Sequence, residues 1–256
     1  MRSKARVTVG AATAALLPAL LLGAVGCSSK DAPAAGTAPD SKGSAPAGSP
    51  AASPGGAPGG SAAPKAGASK LERSALEQGD LPGYQVSAQG KNPNAPDGQP
   101  QADRKACQPL ADIMGDKPDP AARETVNRGV GSQKQVGLAV SASVSSYAES
   151  DAKALIARLK DAVAACSTGF TATVEKQSGS YREVRPAEYK TAGDESVSWT
   201  TTAVAQGVSA QVHVVVVRQG ATIVRLMALN VAAGRQKPQV PHEVADKQLE
   251  KVRGAG

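Results

Sequence analysis

Aromatic side chains are nearly missing from this sequence: one Trp, one Phe and four Tyr in 256 residues. A surface that stacks nucleic-acid bases needs such rings, and this chain has too few to build one. A folded core must therefore be built from Val, Leu, Ile and Ala. Histidine is equally sparse, with only His213 and His242, so few constellations for acid–base catalysis are available. No G-x-S-x-G elbow marks a nucleophilic serine, and no Gly-rich loop follows a strand to cradle phosphate. His242-Glu243 begins like the helical motif of zinc proteases, but Asp246 stands where the second histidine belongs. Three cysteines, none with metal-ligand spacing, leave no metal site. The expectation is a protein that is not an enzyme, has no cofactor and binds no metal.

Strong charge is also lacking. The formal net charge is +7, but Arg2, Lys4 and Arg6 sit in a segment that reads as cleaved, which leaves +4. Setting aside Lys30, Lys42 and Lys65 with Asp31 and Asp40 leaves +3 for the remainder. That is no electrostatic footprint for nucleic acid.

The amino terminus carries the clearest signal. A basic start precedes an apolar run from Val7 to Val25, and Ala24-Val25-Gly26 lead directly into Cys27. This order is that of a secretory signal peptide over residues 1–26. The run is rich in Ala, Thr and Gly, short of the roughly 20 strongly apolar residues of a retained membrane helix. The triplet before Cys27 resembles the bacterial lipobox, with Ala24 in place of the usual Leu. The resemblance implies that Cys27 carries lipid, palmitate included, and becomes the first residue of a lipoprotein. The alternative is an ordinary cleaved signal beside an incidental cysteine. Residues 27–68 are almost entirely Ala, Pro, Gly and Ser, which cannot offset their ordering entropy, and predict a disordered linker. About 40 such residues reach on the order of 35 Å. With Cys27 lipidated, Cys107 and Cys166 are left as a pair in an oxidising compartment, which points to a disulfide. Two free buried thiols are the other possibility.

Residues 69–256 read as one domain. Ser69 starts a capping-box pattern, with Leu71, Ala75 and Leu76 at helical spacing and Gly79 to end the helix. A short strand follows at Tyr84 to Ser87, then loop from Lys91 to Asp103. A helix fits Lys105 to Gly115, and residues 116–133 show no clear period. Val136, Leu138, Val140, Ala142 and Val144 alternate along a strand, and Ser150 is a suitable N-cap for a long helix to Cys166. Strands are expected near 169–175, 180–185, 195–205, 208–218 and 221–231, and a last helix from Pro241 to Val252. The loops Ala205-Gln-Gly-Val208 and Arg218-Gln-Gly-Ala221 suggest tight hairpins with Gly second in each. That register sets Trp199 beside Val214 and Val214 beside Arg225, with Val212 facing Met227. The fold class expected is α+β: a twisted antiparallel sheet with packed helices and one disulfide.

An arginine among apolar groups is costly unless paired. Trp199, Val214, Arg225 and Met227, with His213 nearby, are therefore the candidate ligand-binding residues. They would line a cleft for a small amphiphile or lipid with an anionic head. The plainer alternative makes Trp199 core and gives Arg225 a carboxylate partner such as Glu183.

Leu81-Pro-Gly-Tyr84 after an opening helix, Cys107 before an alternating strand, Cys166-Ser-Thr-Gly-Phe170 closing a helix and the strand ending at Gly220 form a further pattern. It resembles an actinobacterial envelope family that includes the extracellular sensor domain of a mycobacterial serine/threonine kinase. The resemblance spans most of residues 70–252. It implies a disulfide-bonded α+β module with a central cleft for a ligand, although this sequence has one disulfide where the kinase domain has two. The leading expectation is a membrane-anchored, non-catalytic ligand-binding or sensor-like lipoprotein on the extracytoplasmic face of the cell membrane. A module that binds another envelope protein would show a large apolar patch, and a hydrolase would show His213 converging with Ser or Asp in a cleft.

Overall fold

A computed structural model describes residues 68–90, 98–230 and 237–255. The expected signal peptide, Cys27 and all of the expected linker except Ala68 lie outside these residues. The domain is α+β, as its patterning predicts, with nine antiparallel strands and four α-helices among the described residues.

The opening helix α1 covers only Lys70–Ser74, capped by Ser69, whose Oγ accepts the Glu72 N–H at 3.0 Å. It ends before Gly79 because Ala75 turns extended, and Ala75 and Leu76 are buried without being helical. Strand β1 follows at Tyr84–Gln89. A two-residue strand, β2 at Gln101–Ala102, occupies part of the segment expected to be loop. A 3-10 turn at Lys105–Cys107 then feeds helix α2, Gln108–Met114.

Strand β3, Glu124–Ser132, lies where no period is visible in the sequence. Its inward positions are Val126, Arg128 and Val130, and the charge at the centre disguises the alternation. Arg128 is tolerated there because Nε donates to the Leu76 carbonyl at 2.8 Å and Nη2 pairs with Glu72. Val136 is not in the next strand but in the preceding turn, 82% exposed. Strand β4 begins at Leu138 and runs to Ser146.

Helix α3, Glu149–Ala165, buries Ala152, Leu155, Ile156, Leu159 and Val163 as its stripe predicts, with Ala148 rather than Ser150 at the cap. A meander completes the sheet: β5 Phe170–Val174, β6 Gln177–Pro186, β7 Glu195–Ala205, β8 Val208–Gln219 and β9 Thr222–Asn230. Helix α4, His242–Gly254, closes the chain. The strand order is β1-β3-β4-β9-β8-β7-β6-β5-β2.

Each face of the sheet carries its own core. Leu71, Leu76, Val244 and Leu249 from the α1 and α4 side meet Val140, Val215, Val217 and Leu226. On the other face Leu110, Leu155, Ile156 and Leu159 of α2 and α3 meet Trp199, Val214, Val216 and Ile223. Burial of β8 on both sides explains its unbroken valine run. Cys107 and Cys166 form the disulfide, with Cα atoms 5.9 Å apart, joining the turn before α2 to the end of α3.

Two fasteners are open to measurement. The Gln248 side chain is fully buried; its Oε1 accepts the Leu76 N–H and its Nε2 donates to the Ser74 carbonyl at 2.6 Å. Gln248→Leu strands both backbone groups and should cost on the order of 3 kcal/mol in urea unfolding. An unchanged midpoint would contradict that role. The disulfide spans 59 residues, so its removal by paired Ala substitutions should cost about 4 kcal/mol. Equal stability of the reduced and oxidised protein would rule this out.

Candidate functional site

The first hairpin of the central strands has the expected register: Val197, Trp199 and Thr201 of β7 face Val216, Val214 and Val212 of β8. Its loop, Gln206-Gly207, has φ of 51° and 79°, the pair of left-handed residues that a type I′ turn requires. The second hairpin departs from the expectation. Here Gly220 is the first loop residue, with φ 58°, and Ala221 the second. Asp194 holds this loop, accepting the Gly220 N–H at 2.7 Å and a bond from Arg218, which also donates to the Gly220 carbonyl. Moving the loop by one residue moves every partner by two. Val214 therefore faces Met227, Arg225 faces Val216, and Val212 faces Leu229.

That correction takes Arg225 out of the Trp199 row while leaving both on one face. It also accompanies a second: the face is covered. Trp199 is 1% exposed and Val214 fully buried beneath α2 and α3. No open cleft lies over these two residues, because the apolar stripe of α3 occupies the space a ligand would need. Met227 alone of the candidate group is partly exposed. His213 is on the opposite face, beside Ala228 and Thr200, and cannot share a site with Trp199.

Arg225 is buried and committed to structure. Nη1 donates to the Ile113 carbonyl at 2.6 Å, and Nη2 reaches Ser143 Oγ at 2.8 Å and Asp116 at 2.9 Å. The guanidinium thus ties the end of α2 to the sheet. Its carboxylate partner is Asp116, not Glu183, which pairs with Arg185. Asp116 follows α2 and holds φ 59°, a left-handed position that turns its carboxylate back to the sheet.

His213 and Ser198 do converge, with Nε2 and Oγ 2.8 Å apart. The pair is nevertheless built wrongly for nucleophilic catalysis. The Val240 N–H donates to Nδ1 at 3.0 Å, so the proton sits on Nε2 and is donated to Ser198. A general base needs the reverse arrangement. Both side chains are also buried, with the Tyr189 ring packed against the imidazole. Burial, aided by the His242 charge, lowers the His213 pKa from 6.5 to about 4. Its observed task is to hold the segment at Val240 against the sheet.

Beyond α2 and α3 the same face continues across β4, β3 and β1 with a different character. Its residues are Ser141 and Ser143, Asn127, Gly129 and Gly131, and Gln85 and Ser87, all small or uncharged. Most are exposed or half-buried, and partly exposed Met227 borders them beside Ser141. Asn127, Ser143 and Arg225 form one row across three strands. Two atoms of that row, Asn127 Oδ1 and Arg225 Nε, are buried without a hydrogen-bond partner among the described residues. Sequence reading overlooked this surface because its Ser and Gly positions look like ordinary solvent-facing spacing. Among the described residues no three His, Cys, Asp or Glu side chains gather to hold a metal, and no helix is long and apolar enough to cross a membrane.

No family model and no curated protein matches the sequence. The structure is similar to the crystal structure of the extracellular domain of PknH from Mycobacterium tuberculosis, with TM-score 0.46 and 10% identity over 73% of this chain and 94% of that one. It is also similar to the X-ray structure of an uncharacterized protein from Mycobacterium smegmatis, with TM-score 0.37 and 11% identity over 68% and 90% of the two chains.

The His213 geometry fixes the sign of a pH effect. Between pH 6.5 and about 4 the unfolded histidine is protonated while the folded one is not, so the unfolded chain binds more protons and stability falls as pH drops. The contribution is fully present above pH 6.5. Urea midpoints should decline across this window more steeply in the native protein than in His213→Gln. Parallel pH profiles would overturn the assignment.

Proposed function

We propose that this chain is an envelope lipoprotein, anchored through Cys27 on the extracytoplasmic face of the membrane, whose domain binds a small amphiphilic ligand without chemically transforming it. The observation that carries the binding reading is the partly exposed surface of β1, β3 and β4, away from the described helices. It offers hydroxyl and carboxamide groups over a glycine-rich floor, and the Met227 thioether lies at its border. A polar head would lie over Ser141 and Asn127, and an apolar portion would follow Met227. The proposed ligand seat therefore shares the sheet face of Trp199 but lies beyond the cover of α2 and α3. Arg225 is a border residue of this seat, already neutralised by Asp116, so it supports the floor and is not a free anion receptor.

The polarity of the Ser198–His213 pair and the structural commitment of Arg225 support the non-catalytic reading. The buried disulfide fits an oxidising compartment. A protein-docking module would call for a large apolar patch. Large exposed hydrophobics among the described residues are Val136 and Val208, each at a separate hairpin turn.

Two measurements test the two halves of the proposal. Cys27→Ser should abolish incorporation of radiolabelled palmitate while the domain stays folded; label on the variant would refute the anchor. Native mass spectrometry of the gently extracted protein should reveal a bound amphiphile. Ser141→Trp, which fills the floor, should reduce its occupancy at least tenfold. An unliganded native protein, or undiminished occupancy in the variant, would refute the seat.

A further inference from the structure

A cavity of about 780 Å³ lies away from that seat, between β2, α2 and the segment after α2. Its wall contains Asp112, a carboxylate only 5% exposed. Asp112 Oδ1 accepts two carboxamide donors, Gln99 Nε2 at 2.6 Å and Gln108 Nε2 at 2.7 Å. Both glutamines are themselves anchored: Gln99 donates also to the Lys117 carbonyl, and Gln108 bridges the Pro100 carbonyl and the Ala102 N–H. Neither of these bonds uses the second oxygen, Oδ2, which is not one of the enclosed atoms left without a partner and so is open to the cavity that its side chain lines.

A buried carboxylate without a cation is costly, and the fold could have supplied one. Arg158 is close enough to influence Asp112, yet its guanidinium is turned to Asp119, donating to the carbonyl at 2.5 Å and meeting the carboxylate at 3.4 Å. Burial consequently pushes the Asp112 pKa up, and the nearby Asp119 charge adds to the effect. Asp103 and Asp119 line the same cavity against one lysine, Lys105. Its volume falls within the range of small-molecule sites. Its recognisable chemistry is negative charge held by a pre-formed carboxamide frame and left without a counter-ion.

We infer that this cavity is a second binding site, and that it takes the primary ammonium group of a small organic cation on Asp112 Oδ2. A cation placed there completes the ion pair that the protein leaves open. A neutral polyol would not relieve the unpaired charge, so discrimination between the two is the signature of the site.

The test uses the full chain in detergent, with 1,4-diaminobutane as the probe and 1,4-butanediol as its neutral counterpart. The diamine should bind saturably, at least tenfold more tightly than the diol, and lower the titration midpoint of the Asp112 carboxyl followed by 13C NMR. Asp112→Asn should weaken diamine binding at least tenfold. Should that variant not fold, Gln101→Lys answers the same question, because it adds a competing cation on the exposed strand β2 at the cavity wall and should also weaken binding tenfold. Absence of saturable diamine binding, equal binding of the diol, or undiminished binding by a folded variant would overturn the site.

Discussion

The pairing of β4 with β9 is the constraint on which the architecture rests. Nine consecutive residue pairs, from Leu138↔Asn230 to Ser146↔Thr222, join an amino-terminal hairpin to a carboxy-terminal meander. Neither part has a complete core alone. The junction sets Ala142 beside Leu226 and Val144 beside Val224 under α1 and α4, and on the other face it brings Ser143 to Arg225. The contact is remote in the chain, so the entropy of closing it must be offset by apolar burial on both faces at once. Strand β9, buried along most of its length, supplies that burial in both directions.

Around this junction the buried polar side chains act as fasteners. Arg128 reaches the Leu76 carbonyl, Arg225 the Ile113 carbonyl, His213 the Val240 N–H, and Gln248 both sides of the α1 exit. In each case a side chain satisfies a backbone group at the end of a short or irregular segment. Such ends cannot satisfy themselves and would be expensive to bury otherwise. This explains why residues that look like chemistry in isolation, an arginine in a valine sheet and a histidine beside a serine, are structural here. A chain with so few aromatics gains fewer large packing anchors, and buried hydrogen bonds add specificity where bulk is lacking.

Candidate binding chemistry is consequently found at the margins of the cores. Both surfaces lie against α2. Its carboxy-terminal end, held by Arg225 and Asp116, borders the uncharged floor of β3 and β4. Its middle turn presents Asp112 to the cavity near β2. A seven-residue helix tied to the sheet by one arginine and to α3 by the disulfide can position both without being long enough to be stable alone.

Several elements were legible in the sequence because they depend on local periodicity or composition. The stripe of α3, the alternation of β4, the valine strand β8 and the first hairpin register follow from 3.6- and 2-residue repeats and a Gln-Gly loop. Strand β3 was hidden by Arg128, and β2 is too short to have a period. The second Gln-Gly loop shows the limit most clearly. Its dipeptide permits Gly at either loop position, and Asp194, more than twenty residues away, selects one. The sequence by itself determined the fold class, the aliphatic core and the pairing potential of its cysteines. Only the tertiary structure decided that Trp199 is covered, that Arg225 and His213 are held by backbone groups, and that Asp112 forms no ion pair among the described residues. Those outcomes turn on which distant donor, acceptor or helix arrives at each side chain, and no local pattern encodes that arrival.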